Sequence, residues 1–363
     1  MAYYLSPKQN KTNMKKIFWL GLAFFALLQT LPLMAQDEFT DLIREGIALH
    51  DAGKYQEALE KYEKALQIDK KGSMAYYEMG YTYQEMKQYD LAIKAYDKVI
   101  KIGEQTETLL TTYMNKASIL DDIGKPKDAL KLYKKAIDIY PNHYLLHYNF
   151  GVTNFRVQNF EEAETAFTNA ILLNTNHASS HRALGNLQQY LNKRPQALLA
   201  QYFFLLLEPK TDRGAESYVQ LTNLLQKGVE KVEGEATNKI NINLSPALIE
   251  DKDTAFVLAE MMLSTSAALR YIKGNKDQSD EQLFIDQTNT FFSTLSETQE
   301  KNKDRNKGIY WELYVNFFAK LQKAGHVEAF CYHISQSKGE VVDKLMKENG
   351  EKIDAFYKWL QEQ

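Results

Sequence analysis

The stretch GIALHDAGKYQEALEKYEKAL, residues 46–66, decides the fold of the first half of the chain. It places Gly46 12 residues before Ala58, and Tyr62 follows four residues later. The same order of small, small and aromatic side chains, with Gln201 in place of the aromatic in the last unit, occurs five times between residues 39 and 209, with first members 34, 37, 34 and 34 residues apart. This period predicts a repeat of two helices, because small side chains let helices approach closely and an aromatic ring fills the gap beside them.

Each of the five repeats has four marker positions. The sets are Gly46, Ala58, Tyr62, Ala65; Gly80, Ala92, Tyr96, Val99; Ala117, Ala129, Tyr133, Ala136; Gly151, Ala163, Phe167, Ala170; and Gly185, Ala197, Gln201, Phe204. One repeat of this size cannot bury its apolar face alone, so we expect neighbouring repeats to stack. The fifth repeat departs from the pattern, since Gln201 and Phe204 replace the aromatic and the small residue.

These residues resemble the tetratricopeptide repeat, whose pattern is W-x2-L-G-x2-Y, then A-x3-F, then P. The resemblance covers about 170 of the 363 residues. It implies an all-α fold, a solenoid of helical hairpins whose first helices line a concave groove. In that family the groove binds a protein or peptide, so the resemblance implies such a partner here.

Aligning the repeat glycines transfers the groove positions of the family to this chain. The predicted groove residues are Tyr77, Tyr81, Asn115, Tyr148, Asn149, Phe155, Arg156, Arg182, Asn186 and Tyr190. Aromatic side chains with polar tips suit an extended or helical peptide, because they bury a large area at low entropic cost. The two arginines are expected to orient an acidic or carboxylate group. Packing of some of these aromatic rings between repeats is the alternative.

The first 35 residues have the parts of a secretory signal peptide. Lys15 and Lys16 precede the apolar run 17–28, and Leu33-Met34-Ala35 supplies the small-residue cleavage site. Met14 is favoured as the natural start, because the segment before it adds no signal element. Cleavage after Ala35 predicts a protein exported to the bacterial periplasm or cell envelope, without a stable membrane span. An uncleaved anchor of 19 residues is the alternative.

Charge and cysteine content exclude several classes of protein. Removal of residues 1–35 takes away four lysines and no acidic residue, so the net charge falls from −3 to −7. A chain of this charge is a poor candidate for binding nucleic acid, which depends on clustered Lys and Arg. Cys331 is the only cysteine, so an intramolecular disulfide is excluded.

We predict that residues 36–210 form the repeat array and residues 211–363 a helical C-terminal domain of no recognised family. Residues 203–207 are consecutive apolar residues, so their helix should be buried on all sides and the C-terminal domain should pack on this last repeat. Residues 215–232 have the pattern of one more amphipathic helix, for which a degenerate sixth repeat is one interpretation. Alternation of Ile and Leu with Asn over residues 240–244 is typical of a short strand or an ordered extended segment. The other predicted helices span residues 254–273, 280–298, 307–323, 326–336 and 340–360.

Two groups of residues raise the question of chemistry. His143 and His147, like His177 and His181, are four residues apart, but they hold equal places in neighbouring repeats and no carboxylate shares their pattern. We therefore predict no metal site. Cys331 has apolar neighbours and is interpreted as a small buried side chain rather than a nucleophile. Phosphate-binding loops, nucleophile elbows and H-E-x-x-H motifs are absent, so we expect no cofactor and no enzymatic activity.

The leading hypothesis is an exported, non-enzymatic scaffold that binds a peptide or protein segment in the groove of its repeats. A structural subunit of a cell-envelope assembly, without a free peptide ligand, is the alternative. A third hypothesis places an unrecognised active site in the C-terminal domain. The sequence predicts neither the identity of the partner nor the oligomeric state.

Overall fold

The computed structural model describes residues 36–231, 240–242, 255–269, 279–301 and 307–363. The predicted signal peptide, residues 1–35, and most of residues 232–254 lie outside the described residues. The chain forms two units that divide between Pro141 and Asn142. Within the described ranges, no helix has the length and apolar character needed to cross a membrane.

The described part of the first unit consists of three helical hairpins. Its helices are α1 (36–51), α2 (Tyr55–Ile68), α3 (Ser73–Glu85), α4 (Tyr89–Ile102), α5 (Glu107–Asp122) and α6 (Pro126–Ile139). Gly53 and Gly124 close the first and third hairpins at φ values of 73° and 78°, a left-handed conformation that favours glycine. Pro126 is well placed at the start of α6, because its ring fixes φ near the helical value and its missing N–H has no partner there.

The marker residues of the repeats form the core of each hairpin. Ala58, Ala92 and Ala129 are fully buried where the second helix meets the first. The rings of Tyr62 and Tyr96 are also fully buried and lie over the glycines of the paired first helices. The all-α fold and the helical-hairpin repeat predicted from the sequence are therefore confirmed.

The second unit begins with two more hairpins and continues into the C-terminal helices. Its first helices are α7 (Tyr144–Arg156), α8 (Phe160–Leu173), α9 (Ala178–Tyr190), α10 (Arg194–Leu207) and α11 (Asp212–Gln226). Strands β1 (Val229–Lys231) and β2 (Ile240–Ile242) then pair antiparallel, with Val229 opposite Ile242. The predicted strand near residue 240 is thus confirmed.

The remaining elements of the second unit are helical. They are α12 (Ala255–Leu269), α13 (Asp280–Lys301), a π-helical segment (Tyr310–Val315), α14 (Asn316–Lys323), α15 (Val327–Ile334), a 3-10 turn (Gln336–Lys338), α16 (Glu340–Glu348) and α17 (Gly350–Gln361). The prediction of one helix over residues 340–360 is wrong, because the helix breaks at Asn349, whose backbone leaves the helical conformation with φ −112° and ψ 31°.

Helix α10 lies at the centre of the core of the second unit. Its Tyr202 ring is fully buried, with ring centres 5.1 Å from Phe292 and 5.9 Å from both Phe318 and Phe330. This burial agrees with the apolar run on that helix. The two units divide after Pro141, whereas the sequence predicts that the repeat array ends at residue 210. The last two hairpins belong to the second unit because α8 and α10 share one apolar core with the C-terminal helices.

Helix α11 takes the place of a sixth first helix beside α9. Arg182 Nη2 donates to Glu216 Oε2 over 2.8 Å, and Arg213 Nη1 donates to Ser179 Oγ over 3.0 Å. Both pairs are 34 residues apart, which is the period of the repeat. The helical part of the predicted sixth repeat is therefore present, and a β-strand follows it where a second helix would stand.

A buried ion pair joins three elements of the second unit. Arg194 at the start of α10 lies 3.1 Å from Glu260 of α12, and both side chains are only 3% exposed. The Arg194 guanidinium also donates to Ser264 Oγ over 3.1 Å and to the Leu225 carbonyl oxygen over 2.9 Å. These bonds fix α12 and the end of α11 to the last repeat.

Candidate functional site

Three rings stack across the first helices of the first unit. The Tyr81 ring lies 5.0 Å from the ring of His50 at an interplanar angle of 22°, and 6.4 Å from the ring of Tyr77 at 1°. His50 is on α1, whereas Tyr77 and Tyr81 are one turn apart on α3. All three side chains are half-buried, so their stack forms a continuous aromatic surface with part of each ring open to solvent. We call this surface the aromatic stack.

Hydrogen bonds hold the side chains around the aromatic stack. His50 Nδ1 lies 2.9 Å from the Thr82 hydroxyl, which fixes the imidazole against α3. The predicted groove residue Asn115 donates from Nδ2 to the Tyr96 hydroxyl oxygen over 3.4 Å, and that hydroxyl donates to Gln84 Oε1 over 3.1 Å. The Asn115 amide therefore positions the ring of Tyr96, on which Tyr77 of the stack rests at 6.1 Å.

Glu78 lies beside the aromatic stack and is not among the predicted groove residues. Its carboxyl group is half-buried, and burial together with the negative charge of Asp51 raises its pKa from 4.5 to about 7. Alignment to the repeat glycines selects Tyr77 and Tyr81 and passes over position 78. The signal in the sequence is the helical spacing, since Glu78 lies three residues before the predicted groove residue Tyr81.

In the second unit, Tyr148 packs with His177. The two ring centres are 5.0 Å apart at an interplanar angle of 85°, and Tyr144 meets the same imidazole at 4.9 Å. His177 Nδ1 lies 2.7 Å from the Ser180 hydroxyl. Burial and the nearby charge of Arg213 lower the pKa of His177. Tyr148 is thus half-buried and held between two neighbouring repeats.

Phe155 and Tyr190 form a separate aromatic contact in the second unit. Their ring centres are 5.9 Å apart, and Phe160 lies 5.0 Å from Tyr190 on the other hairpin helix. Tyr190 is 58% exposed at the end of α9, whereas Phe155 and Phe160 are half-buried. Of the predicted groove aromatics in this unit, Tyr190 is the most open to a partner.

The predicted polar residues of the second unit differ in their surroundings. Arg182 pairs with Glu216, and its guanidinium lies 6.0 Å from the ring centre of Phe204. Its charge is therefore paired within the fold, and its role in orienting an acidic partner stays a prediction. Arg156 is exposed at the end of α7, and Asn149 and Asn186 are half-buried on α7 and α9.

The histidine spacing has a structural role. His181 is fully buried, with Nδ1 2.7 Å from the Tyr314 hydroxyl and Nε2 2.8 Å from the Thr175 carbonyl oxygen. Burial lowers the pKa of His181 to about 4, so the ring is neutral at pH 7. Across the described ranges, no group of three His, Cys, Asp or Glu side chains is arranged to hold a metal ion. Cys331 is buried, and burial raises the pKa of its thiol.

Comparison with known proteins gives three overlapping family matches. Models described as tetratricopeptide repeat match residues 73–142 and 114–178, and a model described as TPR repeat matches residues 46–87. These matches cover the first four repeats. No curated protein matches the chain.

Several solved structures are similar to about half of this chain. YrrB, described as a TPR protein with an unusual peptide-binding site, is 21% identical over 50% of this chain and 90% of its own, with a TM-score of 0.41. MamA from Desulfovibrio magneticus RS-1 is 19% identical over 52% of this chain and 95% of its own, with a TM-score of 0.40. The pilF protein of Pseudomonas aeruginosa is 18% identical over 53% of this chain and 90% of its own, with a TM-score of 0.43.

Proposed function

We propose, from the premise that residues 46–178 of this chain are tetratricopeptide repeats, that the protein is a non-enzymatic scaffold whose first helices bind a peptide or protein segment. Tetratricopeptide repeats in general serve protein–protein interaction rather than catalysis. The observation that carries the proposal is the aromatic stack of His50, Tyr81 and Tyr77, which is half-exposed on two neighbouring first helices.

The aromatic stack has the properties of an anchor for a partner. Tyrosine rings bury a large apolar area and keep a hydroxyl group for hydrogen bonding. Stacking and the bond from His50 to Thr82 restrict the rings before a partner arrives, so less side-chain entropy is lost on binding. In the second unit, the exposed ring of Tyr190 and its neighbour Phe155 are the corresponding candidates.

Substitution of the tyrosines tests the proposal. Peptides selected from a random display library on the immobilised full chain provide the probes, and calorimetry provides the affinities. We expect Tyr81→Ala to weaken binding about 10-fold or more, as for a central aromatic anchor. Tyr76→Ala is the matched control, because Tyr76 lies on the opposite face of α3 and bonds the Lys70 carbonyl oxygen. Wild-type affinity in a Tyr77→Ala/Tyr81→Ala variant would refute the groove assignment.

The place of action is a second part of the proposal. Lys15, Lys16, the apolar run 17–28 and the cleavage motif at Ala35 support export to a bacterial cell envelope. The test is N-terminal sequencing of the protein recovered from fractionated cells. A terminus at Gln36 is expected, and a terminus at Met1 or Met14 contradicts export by cleavage.

A further inference from the structure

A cavity of the second unit lies between α11, α13 and the 3-10 turn. Its volume is about 360 Å³, and small-molecule sites in proteins commonly measure about 300–1,000 Å³. Leu225 and Phe284 line it with apolar side chains that are almost fully buried. Tyr218, which also lines it, packs edge-on against Phe284 with 5.5 Å between the ring centres. The cavity therefore offers an apolar and partly aromatic wall to a small molecule.

Gln287 of α13 is the polar residue of this cavity that points to a ligand. It lines the cavity and is only 3% exposed, yet its Nε2 has no hydrogen-bond partner among the residues that the structure describes. By contrast, the hydroxyl of the next residue, Thr288, bonds both the Phe284 carbonyl oxygen and the Tyr202 hydroxyl at 2.8 Å. Buried polar groups are nearly always bonded, and an unpaired one destabilises the fold. The Gln287 amide therefore suits a hydrogen-bond acceptor on a bound molecule.

The charges around the cavity favour an uncharged ligand. Asp280 and Lys338 both line the cavity and are exposed. Lys338 Nζ lies 2.8 Å from Glu281 Oε1, so the charge of this lysine is paired within the fold. The three groups sum to a net charge of −1, which disfavours an anion. A cation is disfavoured at Gln287, because the unpaired Nε2 is itself a donor. A neutral molecule with an acceptor fits both conditions.

We propose that this cavity binds a neutral small molecule that carries an amide group. The carbonyl oxygen of such a ligand accepts a hydrogen bond from Gln287 Nε2, and its N–H donates to Gln287 Oε1, so the two amides satisfy each other. The apolar part of the ligand packs against Phe284 and Tyr218. The site gives the C-terminal helices a binding role of their own, and it does not rest on the function proposed for the repeats.

Three probes of equal shape and different charge test the site on the full chain: benzamide, benzoate and benzamidinium. Ligand-observed NMR titration measures their dissociation constants. We expect benzamide to bind about 10-fold more tightly than either ion, and Gln287→Met, which removes the amide and keeps the length of the side chain, to weaken benzamide about 10-fold. Gln282→Met is the matched control, because Gln282 is exposed on the same helix and bonds Asp286.

Urea unfolding of the same variants separates a binding role of Gln287 from a structural one. An amide without a partner does not stabilise the fold, so Gln287→Met should unfold at the wild-type urea midpoint or above it. A lower midpoint would mean that the amide is bonded within the fold, and it would overturn the site.

The binding data give the other outcomes. Absence of benzamide binding, or unchanged benzamide affinity in Gln287→Met, overturns the site and leaves the cavity to water. Tighter binding of benzoate or benzamidinium than of benzamide overturns the choice of a neutral ligand. An acetylated and amidated alanine pentapeptide with a central glutamine is the last probe. If it binds more tightly than benzamide and depends on Gln287, the cavity takes a side chain of a protein segment and the assignment to a small molecule is wrong.

Discussion

The ring of Tyr96 covers Gly80 so closely that a Cβ atom on residue 80 would lie 2.5 Å from its Cε1 atom and 2.7 Å from its Cδ1 atom. The two residues are 16 apart and come from the two helices of one hairpin. Tyr62 covers Gly46 in the preceding hairpin in the same way. In these two hairpins the ring therefore occupies the space that a Cβ atom of its glycine would need, and the helices pack closely because residue 80 has no side chain.

Gly80→Ala should destabilise the protein by about 1–3 kcal/mol, the usual cost of overpacking a core. The added methyl group would displace the ring of Tyr96, which is fully buried. Gly185→Ala is the matched control, because its nearest neighbour is the flexible Gln201 side chain, with Cγ at 3.0 Å. Urea unfolding measures the free energy of unfolding of both variants, and we expect a clearly smaller loss of stability for Gly185→Ala. Equal losses would show that the aromatic ring does not set the requirement for glycine.

The periodic part of the fold could be predicted from the sequence because its contacts are local. Gly80 and Tyr96 meet within one hairpin, so spacing alone indicates the contact. The His181–Tyr314 bond spans 133 residues, and nothing in the pattern of either segment indicates that these side chains meet. The same holds for Arg194 and Glu260, which are 66 apart. In the candidate site, alignment indicated Tyr77 and Tyr81 but not the environment that changes the pKa of the neighbouring carboxyl group.

Acid should weaken the second unit through His181. The folded-state pKa is about 4, below the ordinary 6.5, so folding favours the neutral ring. The contribution to stability is complete above pH 6.5 and is lost as the pH falls from 6.5 toward 4, up to about 3 kcal/mol. NMR titration of the imidazole resonances, assigned with His181→Asn, measures the pKa directly. A midpoint near 6.5 for His181 would contradict the prediction.

The hydroxyl of Tyr314 should matter for stability because it is the partner of His181 Nδ1. Tyr314→Phe leaves that buried nitrogen unpaired, which we expect to lower the free energy of unfolding by about 1–3 kcal/mol. Tyr357→Phe is the control. The Tyr357 hydroxyl lies 3.0 Å from His333 Nδ1. Gln336 Nε2 also lies 3.0 Å from that nitrogen, so this amide can bond the imidazole when the hydroxyl is removed. Denaturant unfolding should give a larger loss of free energy of unfolding for Tyr314→Phe than for Tyr357→Phe. The reverse order would contradict a stabilising role for the bond between Tyr314 and His181.

Glu78 should give the opposite pH dependence from His181. Its pKa rises from 4.5 to about 7 on folding, so folding favours the protonated carboxyl group. The free energy of unfolding should therefore be greatest near pH 4.5 and fall as the pH rises through 7. We expect a difference of about 1–2 kcal/mol between pH 5 and pH 8, after reduction for solvent screening of a half-exposed group.

Comparison with Glu78→Gln isolates this carboxyl group from the other groups that face it, which are His50 and Asp51 on α1, Tyr62 on α2 and Tyr96 on α4. The variant should be more stable than the wild type at pH 8 and about equal to it at pH 5. Hydrogen exchange of the α3 amides at the two pH values provides the measurement. Parallel pH profiles for the two proteins would mean that Glu78 keeps an ordinary pKa.

The ion pair of Arg194 and Glu260 should behave as a unit. Both side chains are buried, and burial lowers the pKa of Arg194. Arg194→Met alone leaves an unpaired carboxylate in the core, which we expect to cost about 3–5 kcal/mol, and Glu260→Leu alone leaves an unpaired guanidinium at a similar cost.

The double variant Arg194→Met/Glu260→Leu should regain most of that loss. Within the described residues, Arg194 Nε and Glu260 Oε2 have no hydrogen-bond partner even in the intact pair, so an apolar replacement removes two unsatisfied atoms as well as both charges. A double-mutant cycle in urea measures the coupling between the two positions. If the double variant loses the sum of the two single losses, the two residues act independently, and the bonds of Arg194 to Ser264 of α12 and to the Leu225 carbonyl oxygen of α11 matter more than the ion pair.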